Sequence, residues 1–312
     1  MKTSKSPNEV ARTAILLAKL SLPAYRHKYS PHVFTQHQLA AVLILKEFFT
    51  TDYRGIVEII KDSSDLRSIL ELSAVPHFTT IQKASKEIFA KPKVRKLLKE
   101  TIRLAEASGI LNQKTKLSAI DSTGLEAGHT SRYFIRRREK GQKDCYQTTT
   151  YKRFPKLALV CNALSHIITT ALGMKGPSPD VVHFKKLAFE SETAYPTDTL
   201  LADAGYDAEE SHRYVREELG IHSIIPPRIG RPTKKPPSGK YRREMVERFD
   251  KSTYGQRWQV ETVMSMIKRN LREELFAKSY QAQIREMMLK VITHNTMILW
   301  VRGFLQSIPD PF

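Results

Sequence analysis

Residues 254–268 read YGQRWQVETVMSMIK. At about 100° per residue, a helix through this stretch brings Arg257, Glu261, Met264 and Lys268 onto one narrow stripe, with Tyr254 at its upper end. Val260, Val263, Ile267 and Leu271 form a second stripe beside it, suited to packing on a core. Such a helix seats itself by its apolar face and presents Arg, a carboxylate and Lys to something else. An exposed Arg–Glu pair four residues apart is the plainer account, contributing only a few tenths of a kcal/mol.

Two aspartates upstream change the weight of that helix. Asp121 closes the apolar run KLSAIDSTG and Asp203 closes DTLLADAGYD. Both runs read as buried strands that deliver a carboxylate to a sheet edge. Taken singly, an Asp at a strand end is a turn or cap residue. As an ordered set, Asp121, Asp203 and Glu261 suit hard oxygen ligation of Mg²⁺.

These residues resemble the DDE transposases of insertion sequences, in the branch whose third acid lies in a Tyr-x2-Arg-x3-Glu-x6-Lys signature. Tyr254, Arg257, Glu261 and Lys268 match it at every spacing, and the likeness runs from about residue 35 to 300. The resemblance implies Asp121, Asp203 and Glu261 as catalytic residues holding two Mg²⁺ ions (Mn²⁺ as substitute), with Asp121 bridging both. It implies Tyr254, Arg257 and Lys268 as contacts to the transposon end. The implied reaction is cleavage at terminal inverted repeats and transfer of the 3′-OH ends to target DNA. A transposase-derived regulator that binds DNA without cutting it is the alternative. Double-stranded DNA is the implied partner, with a homodimer in the complex and a cytoplasmic, nucleoid-associated location.

Composition agrees with a polyanionic partner. The 312 residues carry 51 Lys and Arg against 32 acids, a net charge of +19. Residues 132–156 and 228–251 each hold nine Lys/Arg, against two and three acids. Clustering of this kind favours nucleic acid, although a solvated face is an equal account of either cluster alone. Cys145 and Cys161 stand outside any Cys-x-x-Cys or His-rich set, so neither a disulfide framework nor a zinc site is expected. No Gly-x4-Gly-Lys-Ser/Thr, Gly-x-Ser-x-Gly or His-Glu-x-x-His occurs, so no nucleotide cofactor is expected. His129 and Arg132 form a His-x-x-Arg, a weak hint of a tyrosine recombinase. The apolar run 287–305 is broken by Lys290, His294, Asn295 and Arg302, which predicts a buried helix in a soluble protein with no membrane partner.

Residues 1–112 read as an all-α N-terminal, DNA-binding domain. Pro76 is expected to stop one helix and Thr79–Thr80 to cap the next. Helix-turn-helix and ordinary bundle both fit this stretch. Residues 113–312 form the expected catalytic domain, ordered as three strands, helix, strand, helix, strand and the Glu261 helix. The pattern gives an α/β, mixed five-stranded sheet flanked by helices; the name RNase H-like comes from the resemblance. Residues 228–252, rich in Pro, Gly and basic residues, read as a flexible insertion. Asp207 reads as a helix N-cap, His183 as a packed histidine. The Ser122 and Thr123 hydroxyls suit either substrate contact or a strand-end hydrogen bond.

Overall fold

The computed structural model describes residues 3–29, 32–111, 116–127, 154–176, 178–228 and 237–299. Six helices come first: α1 (Pro7–Ser21), α2 (Gln36–Phe48), α3 (Tyr53–Asp62), α4 (Ser64–Ile69), α5 (Phe78–Ile88) and α6 (Lys91–Ala107). Their starts follow local chemistry. Thr35 and Gln38 form a reciprocal capping box on α2, and Asp52 accepts two backbone N–H groups on α3. Gly109, at φ +71°, lets the chain leave α6 in the left-handed conformation. Helix α5 is capped by His77, not by the Thr79–Thr80 pair. Pro76 lies in a connection seven residues beyond α4 and stops no helix.

The sheet follows: β1 (Leu117–Gly124), β3 (Phe154–Asn162), β4 (Ile168–Gly176), β5 (Thr199–Leu201) and β6 (His222–Ile224), ordered β4-β3-β1-β5-β6. β3 runs antiparallel to both its neighbours, β1 and β4, and β5 and β6 run parallel to β1. Parallel neighbours need crossovers, supplied by α7 (Val181–Ala194) and by α8 (Glu209–Arg213), which runs on into a π turn at Tyr214–Glu218. This is the expected mixed sheet, in RNase H-like order behind an all-α N-terminal region. A small parallel pair, β2 (Glu126–Ala127) with β7 (Glu274–Leu275), is an addition that apolar patterning does not announce.

Strand alternation divides the core. Ala119, Leu157 and Leu159 join a buried cluster with the N-terminal helices, whereas Ile120, Ala158 and Val160 pack with α7, Tyr206 and Val215 on the opposite side. Two helices complete the first cluster: α11 (Trp258–Leu271), reached through α9 (Lys240–Glu247) and α10 (Lys251–Tyr254), and α12 (Tyr280–Leu299). The stripe Val260, Val263, Ile267 and Leu271 is at most 1% exposed.

Helix α12 is buried through polar residues as well as apolar ones. Asn295 accepts from the Ile168 N–H at 2.9 Å and donates to the Ile168 carbonyl and to Thr101 Oγ1, tying the β4 edge to α6. Lys290 Nζ lies 2.7 Å from Glu47 Oε1 on α2 and also donates to the carbonyls of Leu271 and Arg272. None of the described helices is long and apolar enough to cross a membrane.

The insertion expected to be flexible is only partly described. Residues 229–236 lie outside the described residues, but α9 docks firmly: Arg242 chelates Asp207, and Arg216 meets both oxygens of Glu244. Buried Tyr241 and Met245 and these ion pairs hold it despite the Pro/Gly-rich approach. Most of the basic stretch 132–156, with Cys145, His129 and Arg132, also lies outside the described residues.

Candidate active site

Four fully buried residues, Leu117–Ile120, carry β1 through the core before Asp121 emerges at its edge. Alternation puts Asp121 on the Ala119 face, where α11 packs. Its Oδ1 accepts from the Ser122 N–H at 2.7 Å, and its Oδ2 lies 3.4 Å from the Arg257 guanidinium. Arg257 stands at the head of α11 and reaches Glu261 one turn on. One guanidinium thus joins the first expected acid to the third.

Asp203 sits just past β5. It accepts from Gly205 N–H at 2.9 Å and opens the short turn Ala204–Tyr206. A side chain at Gly205 would meet that carboxylate, its Cβ 3.0 Å from Oδ1. The charge of Asp203 is felt at Asp121. Burial first, then Asp203 and Asp180, push the Asp121 pKa up to about 6 against the opposing Ser122 N–H and Arg257. Tyr206, buried below, has its pKa raised by burial and by Asp180, Asp121 and Asp203. Tyr254 is half-buried; its ring lies 5.0 Å from Phe249 and 6.0 Å from the Arg257 guanidinium.

The expected residues are not equally close. Asp121, Arg257 and Glu261 are joined directly, and Asp203 and Tyr254 lie within electrostatic reach of Asp121. Glu261 is 55% exposed and turned to Arg257, and among the described residues no three acids gather closely enough to grip one ion. Lys268 lies farther along α11 and donates to Glu273 at 2.6 Å.

Two residues beside the site, Asp180 and Lys156, carry no motif in the sequence. Asp180 accepts from Ser122 Oγ at 2.5 Å and pairs with Lys156 Nζ at 2.7 Å, so Ser122 makes the strand-end hydrogen bond. Lys156 also donates to the Ser178 carbonyl, so this member of the basic segment serves the interior. Its only sequence signal was a Lys in a strand otherwise buried. Asp207 is not a helix cap: its side chain is fully buried, held by Arg242 at 2.7 Å and the Arg228 N–H at 2.7 Å, while Ala208 begins α8. His183 is half-buried on α7.

A family profile described as the transposase DDE domain matches residues 112–296, more than half of the chain. No curated protein matches it. Among solved structures it is similar to a pre-cleavage Mos1 transpososome, at 12% identity over 89% of this chain and 81% of that one, with a TM-score of 0.24. It is also similar to the Mos1 mariner paired end complex with Mn, at 11% identity over 85% and 78%, with a TM-score of 0.22. Scores this low add nothing to the assignment, which rests on the profile match: the chain belongs to the DDE transposase family.

Proposed function

We propose that the chain cuts DNA at the terminal inverted repeats of its mobile element and joins the 3′-OH ends to target DNA. The observation that carries this is the Arg257 guanidinium, which joins Asp121 of β1 to Glu261 of α11. Two elements far apart in sequence thereby deliver carboxylates to one edge, beside Asp203.

The donor set suits a divalent cation. It consists of oxygens alone, and the ionised form of Asp121 is disfavoured first by burial and then by Asp203 and Asp180, which a bound cation would offset. Asp121, Asp203 and Glu261 would hold Mg²⁺ or Mn²⁺, two ions in the full site, which when bound would supply activation of the attacking oxygen and stabilisation of the leaving one. Arg257 then exchanges its carboxylate partners for phosphate oxygens, in the bidentate manner open to a guanidinium. Tyr254 braces that side chain or stacks on a base, and Lys268 adds a point charge farther along the helix. The Asp180–Lys156 pair and Ser122 brace the end of the strand that carries Asp121. The helices of residues 1–112 bind the transposon end, and pairing two ends calls for a dimer in the DNA complex.

The test is a duplex carrying the DNA that flanks the coding region. Asp121→Asn, Asp203→Asn and Glu261→Gln should each lose metal-dependent cleavage while gel shifts show binding nearly intact. Appreciable cleavage by any of the three removes that residue from the site.

A further inference from the structure

A second basic surface lies away from the carboxylates. A cleft of about 450 Å³ opens between α5, the Phe276–Ser279 segment and the first turns of α12. Lys86, Lys278 and Arg285 reach its wall from three separate pieces of chain. Among the described residues none of the three side chains forms an ion pair or hydrogen bond. Gln82, Ser85 and Ser279 stand among them as neutral donors. The cleft of about 540 Å³ at the α1–α2 connection differs, because its Arg26 is held by Glu87 at 2.5 Å.

The one acid on this wall is already satisfied. Glu286 accepts the Phe276 and Ala277 N–H groups, one on each oxygen, both at 2.9 Å. Burial and the nearby Glu47 raise its pKa against those two N–H donors, and both of its oxygens are already engaged. Those bonds, with Gln283 donating to the Ala277 carbonyl, fix the loop before any partner arrives. Lys46, at the floor, is occupied by Glu47 at 3.5 Å and lies over the Tyr53 ring.

Three uncompensated cations with hydroxyl and amide donors along an open, preformed trough match successive phosphodiester oxygens. We propose that this cleft seats the phosphate backbone of duplex DNA, a contact separate from the carboxylate site. The proposal rests on the transposase reading above. One wall is α5; the other begins five residues after α11, the helix that carries Glu261. DNA seated here would touch both the N-terminal helices and the segment leaving the site.

The experiment is fluorescence anisotropy with a random-sequence duplex across a series of KCl concentrations. Three lost phosphate contacts in K86Q/K278Q/R285Q should flatten the slope of log K against log[salt] by about 2.7, and K86Q alone by about 0.9. A control, K185Q, removes a cation that already has an acidic partner and, unlike K86Q, should keep the parental slope. A triple variant with the parental slope, or a control that flattens as much as K86Q, overturns the cleft. Inorganic phosphate displacing the duplex better than chloride at equal ionic strength would show a small-anion site and overturn it too. Parent protein that binds no duplex at all overturns the transposase reading as well, so the two failures are distinct.

Discussion

The Arg257 guanidinium lies 3.4 Å from the Asp121 carboxylate, across 136 residues of sequence, and is only 19% exposed. A half-enclosed cation between two acids offsets charge that burial would otherwise penalise. Arg257→Gln should therefore destabilise the metal-free protein by about 1–3 kcal/mol and sharply reduce cleavage. Arg257→Lys should recover stability before activity, because an ammonium lacks the planar fork. Urea melts beside cleavage rates decide this; equal recovery of both would show that charge alone matters.

Asp121→Asn should act in the opposite direction on stability. The surroundings of Asp121 disfavour its ionised form even with Arg257 in place. Removing the charge should stabilise the metal-free protein by about 1–3 kcal/mol at neutral pH. The same change should abolish most of the thermal stabilisation that Mn²⁺ gives the parent, since a ligand stabilises only the state that binds it. Identical metal responses in the two proteins would make Asp121 structural.

Much of this arrangement is legible in the residues themselves. The Val260–Leu271 stripe announces its own burial, and apolar runs ending in Asp place two acids at strand ends. What escapes depends on partners distant in sequence. Asp207 reads as a cap because Arg242, 35 residues away, cannot be foreseen. The segment around α9 reads as a linker from its Pro, Gly and Lys, whereas two buried side chains and the Arg216–Glu244 pair make it a docked helix. Asp180 hides in a turn, and Lys156 in a run of bases.

Stability should depend on pH through His294. This imidazole is buried on α12, with Nε2 3.1 Å from the His166 carbonyl, and burial lowers its pKa to about 4. The nearby His166 ring is itself shifted down by burial. The unfolded chain takes up the proton near pH 6.5, well before the folded one. Stability is thus fully present above about pH 6.5 and falls toward pH 4, by on the order of 3 kcal/mol for this residue. His294→Gln keeps a donor for the carbonyl and should flatten that part of the profile. Parallel profiles for parent and variant would reject the assignment.

The Lys290–Glu47 pair is 1% and 4% exposed. Lys290→Met should cost about 3–5 kcal/mol, because it strands a buried carboxylate. Lys46, 3.5 Å away, replaces only part of the lost partner. Adding Glu47→Leu should restore much of the loss, so the two changes will not add. Additive losses in denaturant midpoints would show that the pair is not coupled.

That same pair bears on how the family can diversify. Glu47 lies before the matched region, which begins at residue 112, and Lys290 lies near its end. The charge buried by the transposase region is balanced from outside it, by an α2 that shares its apolar cluster. Recombination that brought in foreign N-terminal helices would leave an ammonium stranded in the interior. Among homologues the two positions should therefore covary, the acid disappearing where the lysine does, and the N-terminal helices should be inherited with the sheet and not exchanged as a cassette.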